Sequence, residues 1–342
     1  MEKGSIVLTL ENIGMLKKAQ VDIGGLSVIA GENDEGKSTV GKALMALIKA
    51  ENTFVEKTSP KHAKQSFNRL IDLLFDNQMT EKGYLNLEVN RDEFYKVTIV
   101  ENECISFDRG FSSRFSDCTF VPSPLIWDLY NFFSSVAVLE VENRFYQSNQ
   151  NEFDFKYPYI LWDLYRKISI ERPCLIRGSI QEIKEYVQEI MSGFFIKKQG
   201  KYVFYKPESD FQVSIMNTAT GIKSFGILQM LIQNDYMTEN SFTIFDEPEN
   251  HLHATWQVKF AEILARLVQN HVCIMVNTHS PYMLEALHKY GKKYAINTNF
   301  YLADSGKVEQ IDNDNSATLE KIYKKLNQSF ISLDEILDEE EE

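Results

Sequence analysis

The sequence predicts an α/β fold with a parallel core sheet, an antiparallel β subdomain and a mainly helical insertion. Three observations carry this. A strand-like run, Leu26 to Ala30, ends directly at the glycine-bracketed segment Gly31-Glu32-Asn33-Asp34-Glu35-Gly36-Lys37-Ser38, and Lys37 to Ala50 follows with helix-forming residues. Phe242-Thr243-Ile244-Phe245 is a short, largely apolar run of the kind that suits a strand buried on both faces. Tyr84 to Val89 and Tyr95 to Val100 instead alternate apolar and polar residues, as antiparallel strands with one wet face do.

Ile6 to Leu10 reads as the first strand. From Pro124 to about Ser192 helical patterns dominate, with Pro124 to Val138 and Tyr157 to Ile170 the clearest and polar, aromatic-rich Tyr146 to Phe155 between them. Trp127-Asp128-Leu129-Tyr130 recurs as Trp162-Asp163-Leu164-Tyr165, each placed on a helix after a proline. Two copies are too few for a repeat array, which needs about three units to bury a continuous core. The aromatic residues of these helices either pack on one another or form a partner surface. Phe194 to Lys198 and Tyr202 to Lys206 form a strand pair, and the core resumes after Phe211. The expected division is therefore 1–51 with 211–310 as the core, 52–210 as β subdomain and helical insertion, and 311–342 as a C-terminal helix and acidic tail.

Composition narrows the class. The chain has 342 residues, 44% of them apolar, enough for a substantial core. No apolar run approaches the ~20 residues that span a bilayer, so a cytoplasmic protein with no membrane contact is expected. Cys104, Cys118, Cys174 and Cys273 are scattered without metal-ligand spacing, which points to buried, reduced thiols. The net charge is -13, but Asp334, Glu335, Asp338 and Glu339 to Glu342 supply seven of the negative charges. The remaining body is mildly acidic, which excludes a basic nucleic-acid-coating protein and leaves room for a local basic groove.

The chemistry concentrates in three places. Gly31 to Ser38 fits G-x-x-x-x-G-K-[ST], in which Gly31 and Gly36 let backbone N–H groups wrap a phosphate at a helix N-terminus. Lys37 is then expected on the β- and γ-phosphates of a nucleotide. Ser38 is expected on Mg²⁺, and Thr39 with the adjoining backbone on the α- and β-phosphates. Asp246-Glu247 stands at the carboxyl end of a buried strand, where open α/β sheets bind ligands. Asp246 would orient Mg²⁺, and Glu247 would act as general base on the attacking water. His279 ends a further buried-strand pattern, Cys273-Ile274-Met275-Val276, and would hydrogen-bond a γ-phosphate or that water. His251 and His253 lie close to Asp246 and Glu249 in sequence, yet read as loop residues rather than as a transition-metal cluster.

These elements, with Asp246-Glu247-Pro248-Glu249-Asn250-His251-Leu252-His253, resemble the ABC-type P-loop ATPase heads of the SMC, RecF and OLD families. They are most like the small AAA-family ATPase subunits of bacterial antiphage systems such as Septu, PARIS and retron-linked defence. Asn33 fits the G-x-N-x-x-G-K-S form of the loop in those heads. The resemblance covers Ile6 to Ala50 and Phe211 to Leu302, about two fifths of the chain. It implies ATP and Mg²⁺, a homodimer or higher homo-oligomer formed through the head, and a separate effector protein, a nuclease or toxin, with DNA or a phage protein as possible contacts. It also implies a signature segment that reaches the partner's γ-phosphate. Thr218 to Ser224 is in the right place but departs from L-S-G-G: Gly221 matches the second glycine, Ala219 replaces the serine and Thr220 the first glycine. Thr220 or Lys223 would then make the phosphate contact, or Thr220 simply caps a helix. The family's Q-loop maps near Val121-Pro122-Ser123-Pro124, which holds no glutamine, and the choice of adenine rests on the resemblance. About sixty residues follow His279, too few for an appended Toprim domain.

The residues and the resemblance together lead to a switch ATPase that governs a separate effector. A DNA-repair ATPase that binds DNA directly and a nucleotide-gated scaffold or antitoxin with little turnover are the alternatives; a transporter subunit fits less well.

Overall fold

The computed structural model describes residues 5–52, 60–89, 93–109, 115–145, 157–171 and 178–327. Cys174, the segment Tyr146 to Phe155 and the acidic tail lie outside them. The strands are β1 (Ile6–Ile13), β2 (Leu16–Asp22), β3 (Leu26–Ala30), β4 (Lys82–Val89), β5 (Glu93–Val100), β6 (Glu103–Arg109), β7 (Asp117–Val121), β8 (Phe194–Lys198), β9 (Lys201–Lys206), β10 (Phe211–Ser214), β11 (Ser241–Asp246), β12 (Cys273–Thr278), β13 (Thr298–Asp304) and β14 (Lys307–Glu309). The helices are α1 (Lys37–Asn52), α2 (Pro60–Phe75), α3 (Tyr130–Phe145), α4 (Tyr159–Ser169), α5 (Ser179–Met191), α6 (Thr220–Gln233), α7 (Ala254–Gln269), α8 (Pro281–Lys293) and α9 (Ser316–Leu326). Among the described residues no helix is long and apolar enough to cross a membrane.

One mixed sheet of 11 strands organises the chain, in the order β6-β5-β4-β1-β2-β14-β13-β3-β12-β11-β7. The run β13-β3-β12-β11-β7 is parallel throughout. Its strands β3 and β12 are buried at every position, which is why their sequences are apolar rather than alternating. On the other side β1, β2, β4, β5 and β6 pair antiparallel. The two expected sheets are thus one, because β4 to β6 grow from the edge of β1 and the short β14 joins β2 to the parallel half. Tyr84 faces Thr98 and Leu87 faces Tyr95, so the alternating runs pair as antiparallel neighbours.

The helical insertion differs from its sequence reading in two respects. Pro124–Trp127 forms a 3₁₀ turn, capped by Ser123, and α3 begins only at Tyr130. Trp127 is drawn out of helical register by its core contacts: it is fully buried, stacks on Phe195 at 5.5 Å and donates from Nε1 to the Lys223 carbonyl at 2.9 Å. Phe211, expected to reopen the core, instead begins β10, the third strand of a small sheet ordered β10-β9-β8. Trp127, Tyr130, Phe133, Trp162 and Tyr165 are buried against one another, with Tyr130 5.3 Å and Trp162 5.5 Å from the Tyr165 ring. Among the described residues packing uses most of the insertion's aromatic surface, while Leu125 and Phe132 remain exposed.

A ring of four charges fastens the insertion to the core. Lys49 on α1 lies 2.7 Å from both Asp117 and Asp163, and Lys167 on α4 lies 2.9 Å from the same two carboxylates. Lys167 also donates to the Cys118 carbonyl and the Thr119 hydroxyl, each at 2.8 Å. Burial disfavours the Lys49 ammonium, yet Asp163 and Asp117 outweigh it and hold its pKa well above the ordinary lysine value. The helix that starts at the phosphate loop is in this way tied directly to α4.

Candidate nucleotide site

The loop after β3 is built as its glycines require. At Gly31 a Cβ would stand 2.4 Å from the Ala303 carbonyl oxygen, so any side chain would collide with backbone. Gly36 has φ +82°, the left-handed region where a side chain is strained. The loop then turns into α1, with the Thr39 N–H bonded to the Gly36 carbonyl at 3.1 Å. Asn33 is exposed within the loop. Lys37 is buried, and its ammonium donates to the Gly31 and Glu32 carbonyls at 3.0 and 2.6 Å. It also lies 3.8 Å from Glu247. On the far side Glu35 meets Lys325 of α9 at 3.0 Å, a tie across 290 positions that the sequence did not signal.

Asp246 ends β11 and faces the loop. The Ser38 hydroxyl lies 2.9 and 2.8 Å from its two carboxylate oxygens, and the Asn277 amide donates to one of them at 2.7 Å. Burial raises the Asp246 pKa; the bonds from Asn277 and Ser38 oppose this without cancelling it, and the neighbouring Glu247 adds to it. A hydroxyl and a carboxylate with a raised pKa are hard oxygen donors that a small divalent cation would suit, so Ser38 and Asp246 fit Mg²⁺. Asn277 was not among the expected site residues. Nothing in the sequence singles it out except its place opposite Asp246 once β11 and β12 pair in parallel.

Glu247 sits at the sheet's carboxyl edge with φ +50°, a left-handed backbone for a non-glycine residue. Its N–H continues the ladder to the Asn277 carbonyl at 2.9 Å, and its side chain accepts from Asn250 at 3.2 Å. His279, just past β12, places Nδ1 3.4 Å from Glu247 and 3.5 Å from Glu249. The fold thus brings Lys37, Ser38, Asp246, Glu247 and His279 to one edge of the sheet. A cavity of about 20 Å³ beside Asp246 and Glu247, with Ser123 and Ser224 among its lining residues, has room for about one water molecule.

Thr220 and Gly221 form the first turn of α6. Ala219, not Thr220, is the N-cap of α6, and no side chain makes the capping bond. Gly221 packs against Trp256 and the His251 carbonyl. Lys223 is buried and paired with Asp128 at 2.5 Å. Around the acidic pair, His253 caps α7 by accepting from Thr255 at 3.5 Å, and Glu249 turns toward Thr278 and Ser280. Among the described residues no group of three His, Cys, Asp or Glu side chains is arranged to hold a metal ion.

Comparisons with known proteins bear on the fold and the class of domain. The family described as AAA ATPase domain matches residues 130–284, a span that takes in Asp246, Glu247 and His279 and begins after the phosphate loop. Among solved structures, the chain is similar to an SMC head bound to the C-winged helix domain of ScpA, at 14% identity over 91% of this chain and 98% of that one, with a TM-score of 0.51. Lower TM-scores, 0.49 and 0.46, are found for an SMC head with an extended coiled coil from Pyrococcus furiosus and an SMC head domain from Thermotoga maritima. Their identities are 14% and 12%; the matches cover 93% and 90% of this chain and 99% and 97% of those chains. No curated protein matches the sequence significantly. The fold is that of an SMC-like, ABC-type head, and the ATPase-domain match supports an ATP-binding ATPase.

Proposed function

We propose that this chain is an ATP-hydrolysing switch subunit that dimerises through nucleotide and regulates a separate effector, a nuclease in antiphage defence. The observation that carries the hydrolytic half is the meeting of Ser38 with Asp246, which joins the phosphate loop to the acidic strand end, with Glu247 and His279 beside them. The effector half is supported by the resemblance of the loop and of Asp246 to His253 to antiphage ATPase subunits.

The roles follow from the chemistry of each group. Lys37 leaves the loop carbonyls for the β- and γ-phosphates of ATP, and the N–H groups from Gly31 to Thr39, Asn33 included, bind the phosphate chain. Ser38 and Asp246 would hold Mg²⁺, whose charge would offset that of the phosphates. Glu247 takes a proton from the water that attacks the γ-phosphorus, and ADP leaves with the bridging oxygen. His279 accepts a hydrogen bond from the attacking water or from a protonated oxygen of the γ-phosphate. Thr220 and Gly221, on the first turn of α6, serve the loop of a second copy.

Light scattering tests the assembly. Glu247→Gln loaded with ATP should double in mass, and Gly221→Arg should keep it monomeric; an ATP-bound protein that stays monomeric would refute nucleotide-driven dimerisation. Degradation of DNA or RNA by the purified chain, lost in Lys37→Ala, would contradict the division of labour with an effector. The departure at Ala219 and Thr220 favours one second reading, a nucleotide-gated scaffold with little turnover.

A further inference from the structure

Glu249 is one of the most enclosed carboxylates in the structure, with 5% of its surface exposed. One oxygen, Oε1, collects three donors from the turn between β12 and α8: the Thr278 hydroxyl at 2.7 Å, the His279 N–H at 2.8 Å and the Ser280 N–H at 3.2 Å. Ser280 is itself the N-cap of α8 and donates to Gln257 at 2.6 Å, so the turn is held from both sides. Three donors on one oxygen fix the carboxylate against the end of β12 and the turn that follows it. Its other oxygen, Oε2, is buried and has no partner, and so is Nδ1 of His279. Buried polar atoms without partners are rare in native folds and call for a physical reason.

His279 Nδ1 stands in a row of charges, and its neighbour on Glu249 is Oε1, the oxygen that already holds the three donors. Lys37, Glu247, His279 and Glu249 form a row, with separations of 3.8 Å from Lys37 to Glu247, 3.4 Å from Glu247 to Nδ1 of His279, and 3.5 Å from that nitrogen to Glu249. Nδ1 lies within 3.5 Å of a carboxylate oxygen on each side, where a bare lone pair would be repelled by both, which favours the tautomer that carries the proton on Nδ1. Neither contact is a formed hydrogen bond. With the proton on Nδ1, neutral His279 presents Nε2 as a lone-pair acceptor.

We propose that Glu249 is the positioning residue of this site: its carboxylate fixes the turn after β12 and holds His279 with Nδ1–H toward Glu247, leaving Nε2 free for a water or phosphate hydroxyl. The inference rests on the reading of Glu247 and His279 as site residues, but its first test needs no turnover. Long-range ¹H–¹⁵N spectra of labelled protein at alkaline pH, with the signals of His279 assigned by their loss in His279→Ala, should show the ring protonated on Nδ1. A ring protonated on Nε2 in the wild type overturns the proposal whatever the variants do. In Glu249→Gln, which keeps an oxygen for the three donors, the Nε2–H form should gain population; an unchanged ring overturns the assignment to Glu249. In ATP turnover, Glu249→Gln should lower kcat about tenfold with KM little changed. It should have no further effect in the His279→Ala background, whereas multiplying effects would show that Glu249 does not act through His279. A wild type that turns over no ATP would defeat the hydrolytic reading, and the ring spectrum would still decide this one.

Discussion

The Ser38 hydroxyl and the Asp246 carboxylate, 208 positions apart, lie within 2.9 Å of each other, so the phosphate loop and the end of β11 share one hydrogen-bonded junction. That junction makes two separate motifs a single site, and its chemistry can be tested before any turnover is measured.

Asp246 is held with a raised pKa, chiefly by burial. A carboxyl group whose folded pKa exceeds its unfolded value favours the folded state while protonated, and loses that contribution as pH rises through the folded pKa. At neutral pH Asp246→Asn should therefore raise the Tm of the protein without nucleotide or metal, and should abolish Mg²⁺-dependent ATP binding. Thermal melts and calorimetric titration check both; a lower Tm together with intact Mg²⁺ dependence would contradict the geometry.

Removing one member of the Lys49, Asp117, Asp163 and Lys167 ring leaves a buried charge undercompensated. Asp163→Asn should cost about 3 kcal/mol in urea unfolding. Adding Lys49→Met should recover part of that loss rather than add to it, because the two residues are in contact. Additive losses would show that the ring is not a coupled unit.

Glu262 predicts an acid-sensitive helix pair. Burial would raise its pKa, but hydrogen bonds from Tyr294, Arg266 and Tyr186 outweigh that and bring it to about 2. A depressed carboxyl pKa supplies stability above the unfolded value that is lost as pH falls through the folded one. Unfolding free energy should fall between about pH 5 and pH 2, and Glu262→Gln should flatten that part of the curve while lowering stability at neutral pH. An unchanged slope in the variant would exclude Glu262 as a source.

Much of the site was legible because its chemistry is local in sequence. Gly31 to Ser38 needs its glycines at fixed offsets, and Asp246 and His279 each come after a short apolar run of the kind that suits a buried parallel strand. Less visible was whatever depends on segments meeting. β14 is three residues long and β2 carries Lys17 and Lys18, so neither announces a strand, yet together they join the two halves of the sheet. Asn277 and Glu249 acquire their places only when β11 and β12 pair and the following turn closes. Lys49 finds Asp163 across 114 positions, a distance no periodicity spans. The recurring Trp-Asp-Leu-Tyr segments proved to be two sides of one aromatic cluster rather than two equivalent helices, because Trp127 is pulled into a 3₁₀ turn by its bond to Lys223.

ATP binding and turnover measured side by side, in wild type and in Glu247→Gln, test the central claim most directly. The wild type should bind ATP with Mg²⁺ and release phosphate, and Glu247→Gln should bind ATP as tightly while losing at least about 100-fold in turnover. Equal turnover in the two proteins, or ATP binding that survives Lys37→Ala unchanged, would contradict the account.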